Sequence, residues 1–209
     1  MKSIVYLHGF ASSPQGRKVT ALGERLGPEG FKVVAPDLNA PSFEKLSFEA
    51  MTKVAAKEIE SRRPAVVVGS SLGALVALEA ARQTKGVPLV LIAPALGFGS
   101  RWNEKLAPGD PVMFFHFDKE RELPIHRRFF DEMAAVTVDR NPPEALVTVI
   151  MGAKDESVPY ELVHNVWKSW EVSGLLVPGS HFITVPDGDH GLVENVNLLA
   201  DEVRLAALG

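Results

Sequence analysis

The sequence predicts an α/β fold, a parallel sheet covered by helices on both faces in three layers. Three observations predict it. Short β-branched runs alternate with stretches of helical spacing, the pattern of βαβ units. The runs carry no polar alternation, so each is expected to be buried on both faces. One of them, ending Val66-Val67-Val68, turns at Gly69-Ser70-Ser71-Leu72-Gly73 into an Ala/Leu-rich helix.

Taken in order, Ile4 to Leu7 is the first strand, and His8-Gly9-Phe10-Ala11-Ser12-Ser13-Pro14 is a loop of turn formers. A helix is expected from about Gly16 to Leu26, with Ser13 as its N-cap and Pro14 at its first position. Phe31 to Ala35 is strand two, and Phe43 to Ser61 is helical with Leu46, Met51, Val54 and Ile59 on its inner side. Ala65 to Val68 is strand three, followed by a helix from Ala74 to Arg82. Val87 to Ile92, Leu146 to Met151 and Ser180 to Val185 are strands four, five and six. Helices are expected at Tyr160 to Trp170 and Leu192 to Ala207.

The connection between strands four and five breaks the rhythm. It runs for about fifty residues, Ala95 to Pro143, where such connections are usually far shorter. It holds seven of the sixteen aromatics, more than a surface loop normally carries. It is read as a mainly helical lid over the strand ends; the alternative is a crossover helix, about Pro124 to Val138, preceded by a long loop.

Bulk properties narrow the partners. At 209 residues the chain fits one domain, and 46% hydrophobic with 23% charged residues is ordinary for a globular protein. A net charge of -4 offers no attraction to nucleic acid or anionic lipid. The absence of cysteine excludes disulfides, thiolate zinc sites and a thiol nucleophile, and suits a reducing cytoplasm, the expected location. The apolar run Ile4 to Leu7 is too short for a signal-peptide core, and no run is long enough to span a membrane.

The Gly69–Gly73 turn has the G-x-S-x-G pattern in its productive context, strand then sharp turn then helix. Ser71 is presented at the apex, and the Leu72 N–H lies at a helix N-terminus, where negative charge is favoured. A serine hydroxyl needs a base within reach, and the base needs an orienting carboxylate. In a parallel sheet such groups should lie just beyond the carboxyl ends of strands. Of six histidines, His190 alone satisfies this late in the chain: it follows strand six in Asp187-Gly188-Asp189-His190-Gly191, whereas His164 falls in a helix and His181 at the opposite strand end. The loop after strand five offers two acids, Asp155 and Glu156; Asp187 and Asp189 lie too near His190 in sequence to face its Nδ1 easily. A second N–H donor for a developing oxyanion is expected from Phe10 after strand one, with His8 bracing the loop rather than reacting.

Together Leu7-His8-Gly9-Phe10, Pro36-Asp37-Leu38, Gly69–Gly73, Gly152–Pro159 and Asp187–Gly191 resemble the α/β-hydrolase superfamily across nearly the whole chain. The opening, with Ser12-Ser13-Pro14 after His-Gly-Phe, is similar to small bacterial YqiA-type esterases, although the insertion is long for the most compact of them. The resemblance implies a serine hydrolase with Ser71, His190 and Asp155 as triad, Asp155 preferred to Glu156, and Phe10 and Leu72 as oxyanion donors. It implies a sheet that lacks the superfamily's first two strands, leaving six in the order 2-1-3-4-5-6.

The expected reaction is hydrolysis of a small-molecule carboxylic ester or thioester through an acyl-enzyme, with no metal or organic cofactor. Phe98, Trp102, Phe114 and Phe115 are the expected lining of an apolar acyl pocket. A peptidase or amidase would use the same residues, and a non-catalytic binding protein of this fold is the alternative outside enzymes; a haloalkane dehalogenase would need aspartate at position 71. The chain is expected to be a monomer or homodimer.

Overall fold

The computed structural model describes residues 1–84, 86–103, 106, 108–137 and 141–209. Six parallel strands form the central sheet: β1 (Lys2–Leu7), β2 (Phe31–Val34), β3 (Val66–Ser70), β4 (Leu89–Ile92), β7 (Val147–Gly152) and β8 (His181–Val185). Their spatial order is β2-β1-β3-β4-β7-β8. This is the expected 2-1-3-4-5-6 arrangement, renumbered because the insertion contributes two strands of its own.

The strands alternate between two apolar cores. Ile4, Tyr6, Val66, Val68, Val90 and Ile92 face α1 (Arg17–Leu26) and α7 (Val196–Leu208). Val5, Leu7, Val67, Leu89, Leu91 and Val149 face α2 (Phe48–Arg62), α3 (Leu72–Gln83) and α6 (Tyr160–Val172). β3 is buried along its whole length. At roughly 25 cal/mol per Å² of apolar surface removed from water, such strands are held mainly by this two-sided burial.

Several boundaries differ from the sequence reading. Ser13 does not cap α1: its hydroxyl accepts the Gln15 N–H at 3.1 Å within the loop, and the helix starts after Gly16. α2 starts at Phe48 rather than Phe43, because Ser47 takes the N-cap and accepts the Ala50 N–H. The last helix is preceded by a short 3-10 turn, Val193–Asn195.

The insertion differs most. It is not mainly helical. Two short helices, α4 (Phe98–Asn103) and α5 (Arg128–Ala134), flank an antiparallel ribbon of β5 (Val112–His116) and β6 (Arg121–Ile125). The alternative crossover helix fails at its start, since Pro124 lies in β6; its end, Val138, lies outside the described residues. α4 packs on α5, and Phe129, Phe130 and Ile125 are buried in the core shared with α2 and α3.

Candidate active site

Ser71 leaves β3 at φ +55°, a conformation that an L-residue adopts only when its surroundings enforce it. They do so here through the backbone. The Ser71 N–H donates to Ile92 O at 2.9 Å, and its carbonyl accepts from Ala74 N at 3.0 Å and Ala95 N at 3.2 Å. The flanking glycines permit the crossing. A Cβ on Gly69 would stand 2.6 Å from Ala74 Cα, and one on Gly73 would overlap the Leu7 carbonyl oxygen. The hydroxyl is thereby placed above the carboxyl end of the sheet.

The two other predicted side chains converge on it. His190 Nε2 lies 3.0 Å from Ser71 Oγ, and its Nδ1 lies 2.8 Å from Asp155 Oδ2. The histidine turn is fixed by Asp189, whose Oδ1 accepts the Leu192 N–H at 2.7 Å. The acid loop is tied to that turn by Lys154 N–H donating to Gly188 O at 2.9 Å. Asp155 is buried and accepts N–H bonds from Ser157 and Val158, each 2.8 Å, on Oδ1. Burial alone would push its carboxyl up; the bonds from His190 and the two backbone N–H groups outweigh it and hold the group below the usual carboxylate range. Glu156 is exposed, and Asp187 instead pairs with Lys154 at 2.6 Å. On α1, burial pushes the Lys18 ammonium down to about 8, against the pull of Asp189 and Asp155.

The Phe10 loop lies directly beside the serine: a Cβ on Gly9 would stand 3.2 Å from Ser71 Cβ. Among the described residues, neither the Phe10 N–H nor the Leu72 N–H donates a hydrogen bond. His8 braces this loop in a specific way. Its Nε2 accepts the Leu38 N–H at 2.9 Å, so the proton sits on Nδ1, which donates to Gly9 O at 2.9 Å. Burial keeps this imidazole neutral by pushing its pKa down. Gly9 O and Phe10 N–H belong to one planar peptide and point in opposite directions. By holding the carbonyl, His8 aims the N–H. The sequence reading saw the bracing but not this consequence, which requires Leu38 to be known as the second partner.

The four expected pocket residues separate. Phe98, Trp102 and Phe114 gather around the Phe10 ring, with centroids 5.4, 6.2 and 5.3 Å away, and Phe43, Phe129 and Phe130 complete the shell. Phe115 is not a lining residue: it is 50% exposed, turns outward on β5 and packs edge-on against Phe117. A small cavity of about 10 Å³, room for one water, lies under the Phe10 loop, lined by His8, Phe10, Leu38, Met51 and Leu72 among others; Ser71 and His190 are not part of its wall, and both are partly exposed. Among the described residues, no cluster of three or more His, Asp or Glu side chains could hold a metal ion, and no helix is long and apolar enough to cross a membrane.

This sheet order, with a strained serine between strand and helix and a histidine and carboxylate delivered by the last two strands, defines an α/β-hydrolase fold. Residues 3–173 match UPF0227, described as an uncharacterised protein family, and the chain belongs to that family. No curated protein matches the sequence. Solved structures agree on the fold at low identity. Est1E from Butyrivibrio proteoclasticus, in a structure with ferulic acid bound, aligns with a TM-score of 0.77 at 16% identity over 98% of this chain and 87% of its own. The alpha/beta hydrolase domain-containing protein 10 from mouse gives 0.73 at 22% identity, covering 97% and 88%. A monoacylglycerol lipase from Paleococcus ferrophilus gives 0.73 at 19%, covering 98% and 94%.

Proposed function

We propose that the protein is a serine hydrolase that cleaves a carboxylic ester or thioester of a small molecule through an acyl-enzyme. The observation that carries the reading is the single imidazole bridging Ser71 Oγ at 3.0 Å and Asp155 Oδ2 at 2.8 Å. Ser71 Oγ attacks the substrate carbonyl carbon while its proton passes to His190 Nε2. The carbonyl oxygen becomes an oxyanion, for which the unspent Phe10 and Leu72 N–H groups are the donors. Asp155 stabilises the imidazolium and holds the tautomer that leaves Nε2 free to accept. The tetrahedral species collapses, the carbon–oxygen or carbon–sulfur bond breaks, and His190 returns its proton to the leaving alcohol or thiol. Water, deprotonated by His190, then attacks the acyl-enzyme, releasing the acid and restoring the Ser71 hydroxyl.

The esterase and lipase among the solved neighbours support this reading as precedents for the fold. The aromatic insertion, residues 95–143, is the proposed lid over the strand ends. The test is labelling by a fluorophosphonate probe, wild type beside Ser71→Ala, followed by turnover of p-nitrophenyl esters of increasing chain length. Labelling and turnover that vanish in Ser71→Ala with an unchanged circular-dichroism spectrum are expected. A folded wild type that takes no label, or equal turnover by the variant, sinks the proposal.

A further inference from the structure

The short helix α4 touches both halves of the site. Phe98 and Trp102 pack on the Phe10 ring. Arg101, between them in sequence, reaches the acid loop, where its Nη2 donates to Ser157 O at 2.8 Å. The Ser157 N–H in turn donates to Asp155 Oδ1. Two of the three guanidinium nitrogens, Nε and Nη1, are fully buried and have no hydrogen-bond partner. Among the described residues, no carboxylate forms an ion pair with Arg101. Burial acts against its charge, and the nearby Asp155 only partly offsets this.

Folded proteins rarely leave a buried guanidinium with unspent donors, because each one forfeits its bonds to water. Here the deficit sits one loop from the serine–histidine–aspartate array: Arg101 holds Ser157, whose N–H donates to Asp155, while Ser71 and His190 are both partly open to solvent. A shift of α4 that uncovers Nε and Nη1 presents them to an anionic oxygen on a substrate seated at Ser71, the partner the guanidinium lacks.

We propose that Arg101 is a specificity-determining residue that recognises a carboxylate carried by the substrate close to the scissile ester or thioester bond. This rests on the serine-hydrolase reading and narrows it from acyl esters in general to anionic ones. The charge can lie on the acid or on the leaving group, so the test has two arms. On the acid side, the p-nitrophenyl monoester of glutaric acid is compared with p-nitrophenyl pentanoate. On the leaving-group side, 4-(butanoyloxy)benzoate is compared with phenyl butanoate. The readout is the anionic-to-neutral ratio of kcat/KM in wild type, Arg101→Met, Arg101→Gln and Arg101→Lys.

A charge-assisted hydrogen bond is worth enough that the ratio in one arm should fall by about ten- to a hundredfold in Arg101→Met and Arg101→Gln, with Arg101→Lys between. The melting temperature of Arg101→Met in the absence of substrate should change little, since the bond lost to Ser157 O is offset by the removal of two buried unpaired donors. A merely structural tether predicts the opposite pattern, with both esters slowed together and a lower melting temperature, and that result overturns the assignment. So does an unchanged ratio in both arms. If Ser71 still takes the fluorophosphonate label in that case, only the role of Arg101 falls; if the folded wild type takes no label, the hydrolase reading falls with it. Should Arg101→Met precipitate, Arg101→Gln and Arg101→Lys carry the same comparison.

Discussion

The two hydrogen bonds of His8 are separable, and separating them tests whether the imidazole aims the Phe10 N–H. The Nδ1 bond goes to Gly9 O and the Nε2 bond comes from Leu38 N–H, both 2.9 Å. In His8→Asn, the amide nitrogen stands where Nδ1 stood and can still donate to Gly9 O, while Leu38 N–H loses its acceptor. In His8→Gln, the side-chain oxygen reaches the Nε2 position and keeps Leu38, but the donor to Gly9 O is lost. Leu38 and His8 are both buried, so an unpaired Leu38 N–H costs about 1–3 kcal/mol in His8→Asn. At about 2–4 °C per kcal/mol for a chain of this size, its melting temperature should drop by roughly 2–12 °C. Complete loss of an oxyanion donor lowers kcat by about 10²–10³, so a Phe10 N–H that is only loosened in His8→Gln should lower kcat by about 10–10². KM should stay near wild type in both. Thermal melts and p-nitrophenyl ester kinetics on the two variants give the cross-over directly. Equal kcat for His8→Gln and wild type, or equal losses in the two variants, would refute the argument that carbonyl and N–H are aimed as one unit.

Two other expectations concern stability. Gly73→Ala should lose about 3 kcal/mol or more, because its Cβ would collide with the Leu7 carbonyl and stand 2.6 Å from His8 O, both rigid backbone. Gly23→Ala, mid-helix in α1 with nothing within 4 Å, should gain about 1 kcal/mol, and paired urea titrations compare them. For pH, His181 is pushed down by burial, but Gly179 O and the Glu202 carboxylate at 2.9 Å more than reverse this and raise its pKa above 6.5. A raised histidine adds stability that is fully present below pH 6.5 and is lost as pH rises through its folded pKa. The difference in urea midpoint between wild type and His181→Gln should therefore be larger at pH 6 than well above 6.5; a constant or growing difference contradicts the Glu202 contact as its cause.

Much of the candidate site was legible because its geometry is encoded locally. Ser71, Asp155 and His190 each follow a strand closely, so the strand ends, with the turn motif and the family resemblance, pointed to the side chains that the fold brings together. Gly69 and Gly73 marked a turn where backbone crosses backbone closely. The insertion was illegible for an equally physical reason. β5 alternates buried Val112 and His116 with outward Met113 and Phe115, but both sets are apolar or aromatic, so the period of two is invisible in the letters. β6 reads Arg-Glu-Leu-Pro-Ile, and its proline argued against a strand that tolerates it only because the ribbon has free edges. Arg101 carried no signal at all: that Nε and Nη1 go unpaired depends on which acceptors fold near them, and sequence does not state who is missing.

Phe10 contributes its N–H to the serine's side of the site and its ring to the centre of the insertion's aromatic shell. Under the proposed mechanism, the residue that senses how the insertion is packed is thus also one that stabilises the charge formed in the reaction. A change in the insertion that suits a new acyl group must repack around that ring, and the repacking is felt at the carbonyl under attack. Selectivity and rate are then not independent traits in this protein. Variants selected for a different substrate should carry compensating changes at Phe43 or Phe129, the rings that set where Phe10 comes to rest.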